Sequence, residues 1–180
     1  WTYTYLLWDE GTKNSIIIDP VFEQSERDLS VIKKLGLNLL YIFETHVHAD
    51  HITGASNLKE KTKAKICYGS KTGVDGADIF FEDGYKLNLD NHEIFVIHTP
   101  GHTSGCVCYY VKGYIFTGDT LFIEGTGRTD FQEGSSNDIY DSVKNKIFKY
   151  PDETIVYPCH NYKGFLSSTI GYEKKFNPNV

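Results

Sequence analysis

Apolar residues fall into short runs broken by turn formers, and the period of each run predicts its element. Tyr3, Tyr5 and Leu7 alternate with Thr4 and Leu6 as an early strand, and Glu10-Gly11 forms a turn. Residues 15–18 predict a second strand, ended by Asp19-Pro20. Leu29, Ile32 and Leu35 recur at helical spacing within 23–35, and Gly36 stops that helix. The stretch 39–43 is apolar throughout, the pattern of a strand buried on both faces. Residues 54–61 predict a helix and 64–68 a strand. Further strands follow at 79–81, 85–89, 93–98, 106–111 and 114–117, with Gly, Asp and Asn between them. A helix over about 137–149, a strand at 154–157 and a last helical stretch from 164 to 176 complete the chain. No linker or repeat interrupts the order. The two halves look like similar layers, so the expectation is an α+β fold with two sheets face to face and helices outside.

Composition narrows the function classes. The chain of 180 residues is 40% apolar and 23% charged, as in an ordinary globular domain. A net charge of −6 argues against a generic nucleic-acid binder, which would present a basic face. No apolar run reaches membrane-spanning length, and nothing at the start resembles a signal peptide. The chain opens at Trp1 and contains no Met, so loss of an initiator, and of a targeting segment with it, is the expectation. Cys67, Cys106, Cys108 and Cys159 form no C-x-x-C pair; Cys106 and Cys108 read as small buried hydrophobes, whereas Cys159 precedes His160 and is expected close to a metal site. Free thiols point to a reducing intracellular compartment.

The chemistry concentrates in Thr45-His46-Val47-His48-Ala49-Asp50-His51, which holds three of the seven histidines. An extended backbone would place His46 and His48 on the same side. Such a cluster costs desolvation and mutual repulsion unless a cation compensates, so metal binding is the reading. Other candidates also lie just past predicted strands: His98 and His102, then Asp119, then Cys159 and His160. Gly101 and Gly118 adjoin candidate ligands, where a missing side chain permits a tight turn. Thr117 is expected to orient the Asp119 loop, His98 to pack under its own loop, and His92 to be solvated.

Taken together, His46, His48, Asp50 and His51 with His102, Asp119 and His160 resemble the metallo-β-lactamase superfamily. That resemblance runs from Tyr3 to Asn177 and implies a single-domain αββα sandwich with metal at one edge. Within the superfamily the chain resembles the persulfide dioxygenases, relatives of glyoxalase II. The stretches that carry this are 45–54, 98–103, 127–134, 157–164 and 176–178, with 127–134 the most specific. The resemblance implies one Fe(II) per chain held by His46, His102 and Asp119, which are then also the catalytic residues. This is the two-His, one-carboxylate set of non-haem iron oxygenases. It further implies glutathione persulfide and O2 as reactants, and sulfite and glutathione as products.

His48, Asp50, His51 and His160 then become supporting groups. In glyoxalase-II-like hydrolases the matching residues complete a two-metal site, with zinc or a second metal, that cleaves glutathione thioesters. The ligand inventory leaves both open. Only 20 residues follow His160, too few for the helical domain that supplies much of the glutathione site in glyoxalase II. With the 127–134 block, this favours the dioxygenase. Arg128 is expected to pair with a glutathione carboxylate, its rival reading being a pair with Asp130. Tyr162 is expected to donate its hydroxyl to the same ligand, with plain packing as the rival. Residues 1–180 read as one domain, shorter at both ends than such enzymes. No nucleic-acid or membrane partner is expected, a homodimer is compatible, and the location is cytoplasmic or mitochondrial/organellar matrix.

Overall fold

A computed structural model describes residues 2–180. The first sheet comprises β1 (Tyr5–Trp8), β2 (Asn14–Ile18), β3 (Asn38–Phe43), β4 (Lys65–Gly69) and β5 (Ile79–Phe81), in that order. β1 runs antiparallel to β2, and the other pairs are parallel. The second sheet comprises β6 (Lys86–Leu89), β7 (His92–His98), β8 (Val107–Val111), β9 (Tyr114–Gly118), β10 (Ile155–Pro158) and β11 (Ser168–Thr169). Its spatial order is the reverse of its chain order, with β9 and β10 parallel and the other neighbours antiparallel. The expected two-sheet sandwich is thus the observed fold.

Three apolar clusters explain the layering. Ile16, Ile18, Phe43, Val96, Tyr109 and Phe116 meet between the sheets. Ile17 and Ile42 point the other way, under α1 (Ser25–Lys34) and α2 (Ala55–Thr62), where they meet Ile32 and Leu58. The all-apolar runs of β2 and β3 are therefore buried on both faces, as parallel strands require. Outside the second sheet, Cys108, Ile115 and Val156 pack under α3 (Ser136–Asn145) and α4 (Ile170–Phe176) with Val143 and Ile170. All four cysteines are free and buried.

Several boundaries differ from expectation. The last helix begins at Ile170 rather than 164, because Ser168 pairs with Val156 in β11 and the Thr169 side chain caps Tyr172 N at 3.1 Å. Residues 161–166 instead form an exposed loop bearing Tyr162 and Lys163. Tyr3 lies outside β1, because its N–H crosses to the second sheet and donates to the Cys159 carbonyl at 2.8 Å. The helix over 137–149 ends at Asn145, and a 3-10 turn carries Ile147 and Phe148 into the core. His92 is not simply solvated: its Nε2 lies 2.9 Å from Asp9 Oδ2 and ties the sheets together at the far edge.

The topology gathers chain ends at one edge. β7, β9 and β10 run in one direction and finish together, each leading into a loop with a candidate ligand. The loop after β3 is stitched to the second sheet by Val107 N–H donating to Thr45 O at 2.8 Å and by Tyr109 hydroxyl donating to Glu44 O at 2.7 Å. Leu58 is fully buried beneath α2, remote in the layering from this edge. Leu58→Ala is expected to cost about 2–5 kcal/mol of unfolding free energy through cavity formation. Metal content should be unchanged; chemical denaturation with metal analysis checks both.

Candidate metal centre

Three loops bring His46, His102 and Asp119 together, all buried, with one donor atom from each lying within 4.8 Å of the others. His46 Nε2 is 3.9 Å and His102 Nε2 is 3.5 Å from Asp119 Oδ2. Bonds of about 2.0–2.2 Å to one ion would set such donors roughly 3–3.5 Å apart, so a small inward movement closes the set.

The hydrogen bonds behind each ring fix its tautomer. The Arg128 carbonyl can only accept, so His102 Nδ1 carries the proton in their 2.8 Å bond. Thr45 hydroxyl donates to Asp19 Oδ2 at 2.8 Å, so its oxygen accepts from His46 Nδ1 at 2.9 Å. Both Nε2 lone pairs are thereby free to face Asp119. Burial, with neighbouring histidines adding to it, pushes His46 well below the usual imidazole range and lowers His102 too, keeping both neutral. Burial pushes the Asp119 carboxyl up to about 8, and His48 offsets this only in part. Two neutral imidazoles and a carboxylate that ionises only at a cost form a donor set suited to a divalent ion.

Two glycines permit this convergence. Gly118 has a left-handed backbone with φ 52°, and a Cβ there would lie 2.4 Å from Thr45 Oγ1. At Gly127 a Cβ would lie 2.3 Å from Asp119 O and 2.9 Å from His102 Nδ1. The 127–134 block touches all three ligand loops: Gly127 N–H donates to Asp119 O at 2.8 Å, Arg128 O receives His102, and Gln132 Nε2 donates to Val47 O at 3.3 Å.

The remaining predicted residues divide. The rings of His46 and His48 are 4.1 Å apart just past the strand, and His48 forms a separate donor group with Asp50 and His51. His48 Nε2 sits 3.3 Å from both Asp19 Oδ1 and Glu44 Oε2. Burial disfavours its charge, yet hydrogen bonds to these two carboxylates outweigh that and raise it well above the ordinary value. His160 Nε2 lies 3.5 Å from both Asp119 Oδ1 and Asp50 Oδ2, and His51 Nδ1 lies 3.2 Å from Asp50 Oδ1. Cys159 joins Asp119 and His160 in a second cluster of donors. His98 bonds the Ser104 carbonyl at 2.9 Å, and Thr117 donates to Leu121 O at 2.7 Å, bracing the turn that holds Asp119.

Sequence reasoning missed Asp19, Glu44 and Thr45 as partners of this site. Asp19 is buried with φ 50°, and its Oδ1 also accepts Thr45 N at 2.7 Å. An Asp-Pro closing an apolar strand was its only sequence signal. The trio opens into a cavity of about 640 Å³ whose walls include Phe122, Phe131, Arg128 and Tyr162. Arg128 bonds Asp130 through Nε and Nη2 at 2.8 and 3.0 Å, so the rival pairing exists while the side chain still lines the cavity. Tyr162 is exposed and stands edge-on to Phe122 at 5.4 Å.

A two-sheet sandwich with a His/Asp centre at the shared strand ends defines a metallo-β-lactamase-type protein, and the metallo-beta-lactamase superfamily model matches residues 2–160. Human mitochondrial persulfide dioxygenase ETHE1 is 42% identical over 99% of this chain and 71% of its own length. The crystal structure of ETHE1 from Myxococcus xanthus superposes with a TM-score of 0.95 at 45% identity, over 98% of this chain and 78% of that one. The hydroxyacylglutathione hydrolase GloC of Haemophilus influenzae is 35% identical over 96% of this chain and 90% of its own length. The chain belongs to the persulfide dioxygenase family of that superfamily, with glutathione thioester hydrolases as more distant relatives.

A raised Asp119 pKa means that metal must displace a proton at neutral pH. Metal affinity is therefore expected to weaken about tenfold per pH unit lowered below 8, and a flat titration profile refutes this. In the metal-free protein the ionised carboxylate opposes folding increasingly as pH rises from its unfolded-chain value toward 8. Asp119→Asn is accordingly expected to abolish metal retention yet stabilise the metal-free fold at pH 7 by on the order of 1–3 kcal/mol. Calorimetry with metal analysis reads both effects.

Proposed function

We propose that this chain is a mononuclear non-haem Fe(II) persulfide dioxygenase that converts glutathione persulfide, O2 and water to glutathione and sulfite. The arrangement of donors carries the reading: His46, His102 and Asp119 converge, while His48 Nε2 sits against Asp19 and Glu44. A two-His, one-carboxylate set suits Fe(II) and leaves coordination positions for reactants. His46, His102 and Asp119 would hold the ion, which when bound supplies the redox chemistry that joins the sulfane sulfur to O2.

The protein's own residues contribute position and environment. Thr45 and the Arg128 carbonyl keep the His46 and His102 lone pairs aimed at the ion. His160 Nε2 faces the second oxygen of Asp119 at 3.5 Å. Phe122 and Phe131 give the cavity an apolar wall that limits water around the reacting sulfur. Arg128, by exchanging its Asp130 partner for a carboxylate of the carrier, would anchor the thiol carrier, with Tyr162 beside it. The balance is one persulfide, one O2 and one water to one thiol and one sulfite with two protons released.

Similarity to GloC favours one alternative, a two-metal thioesterase using Asp50, His51 and His160 as a second ligand set around Asp119. No helix among the described residues is long and apolar enough to cross a membrane. Human ETHE1 is a mitochondrial protein, and an organellar matrix or cytoplasm is our reading for this chain.

Anaerobically iron-loaded protein is expected to hold about one Fe(II) per chain, consume O2 with glutathione persulfide and form sulfite. No O2 uptake by loaded protein, together with rapid hydrolysis of S-lactoylglutathione, overturns the proposal for the hydrolase. His160→Ala is expected to retain one iron; loss of all metal in that variant points to a shared two-metal site.

A further inference from the structure

The wall of the cavity carries, a few residues past Asp119 and His160, an ion pair that the proposed reaction does not use. Lys163 Nζ lies 3.5 Å from Glu124 Oε2, and Tyr172 hydroxyl donates to Glu124 Oε1 at 2.5 Å. Both charged residues line the same cavity as His46, His102 and Asp119. Glu124 is held there firmly. Its backbone is left-handed, with φ 55°, and its N–H donates to the fully buried Glu173 Oε2 at 2.9 Å. Asn177 Nδ2 bonds Glu173 Oε2 at 2.9 Å and Gly125 O at 3.0 Å, so α4 clamps the loop that presents Glu124. The Tyr172 hydroxyl holds Glu124 ionised, with Lys163 adding to the effect.

A fixed acid beside a half-exposed base matches one ligand feature in particular. Arg128 and Lys163 are the cavity's two side-chain cations, and each is bonded to an acid. A carrier bearing only carboxylates would free Lys163 from Glu124 but leave Glu124 facing added negative charge. A carrier ending in an α-amino acid presents an ammonium next to a carboxylate. It can insert between the pair, ammonium on Glu124 and carboxylate on Lys163, leaving every charge partnered.

We propose that Glu124 and Lys163 form a subsite for the zwitterionic α-amino acid end of the thiol carrier, and so select carriers with a free α-amino group. This rests on the reading of the substrate as a thiol-borne persulfide and names the part of the carrier that is recognised. The class includes glutathione and excludes its N-acylated analogues.

Binding rather than turnover tests it. Glutathione and N-acetylglutathione are titrated calorimetrically into anaerobic Fe(II)-loaded protein, where the thiol and the remaining carboxylates are common to both probes. The wild type is expected to bind glutathione about three- to tenfold more tightly, the range of a partly exposed ion pair. Glu124→Gln keeps an acceptor for Tyr172 and is expected to bring the ratio close to one. Lys163→Gln should weaken both probes. Damage to the fold would weaken both probes alike, so the ratio isolates the subsite. A wild type that does not discriminate, or a Glu124→Gln variant that keeps the full ratio, overturns the proposal. Discrimination without any O2 uptake would instead leave the subsite standing and remove the dioxygenase reading alone.

Discussion

Asp119 carries its carboxylate into a buried corner against two imidazoles that burial holds neutral, and the surrounding loops exist to keep that unfavourable group in place. The turn at Gly118 presses against Thr45, and Gly127 passes so near the Asp119 carbonyl that only hydrogen fits there. Thr117 braces the same turn from below. None of these contacts lowers the cost of the charge. They fix its position and leave the cost to be met by a cation, which is how a protein reserves a strong site for a metal at the expense of its own metal-free stability.

Asp19 extends that constraint to the other sheet. One carboxylate receives the Thr45 N–H and hydroxyl and lies within reach of His48, so the end of β2 sets both the tautomer of His46 and the orientation of His48. Glu44 reinforces the hold from within the loop. A histidine-rich cluster thus separates into a ring that faces the shared donor centre and a ring bound by two acids, although their side chains are in contact.

The fold was largely legible in the chain because burial on both faces makes β2 and β3 continuous apolar runs, and α1 and α3 show clean helical spacing. The stretch 164–169 misled because its apolar residues mimic helical rhythm while Phe165 and Leu166 are exposed and Thr169 supplies the true cap. At the site, the residue types were readable but their division was not. Separating His46 from His48 depends on Asp19, which is close in space and remote in sequence. His92 likewise reads as a turn residue until the opposite sheet brings Asp9 to it. Arg128 was singled out for its side chain, yet the structure also gives its main-chain carbonyl a part, and no residue pattern encodes that.

The two sheets contribute unequally to the donor centre: His46 follows β3 of the first, while His102 and Asp119 follow strands of the second. An ion held by all three is therefore a further cross-link between layers that meet through apolar packing and a few hydrogen bonds such as that of Tyr109 to Glu44. It acts as a reversible staple whose strength follows free metal concentration, through the usual mass-action dependence of stability on a ligand that binds only the folded state. Sliding of one sheet over the other would pull the donors apart, so the order of the whole sandwich and the occupancy of a few cubic ångströms at its edge are one thermodynamic quantity.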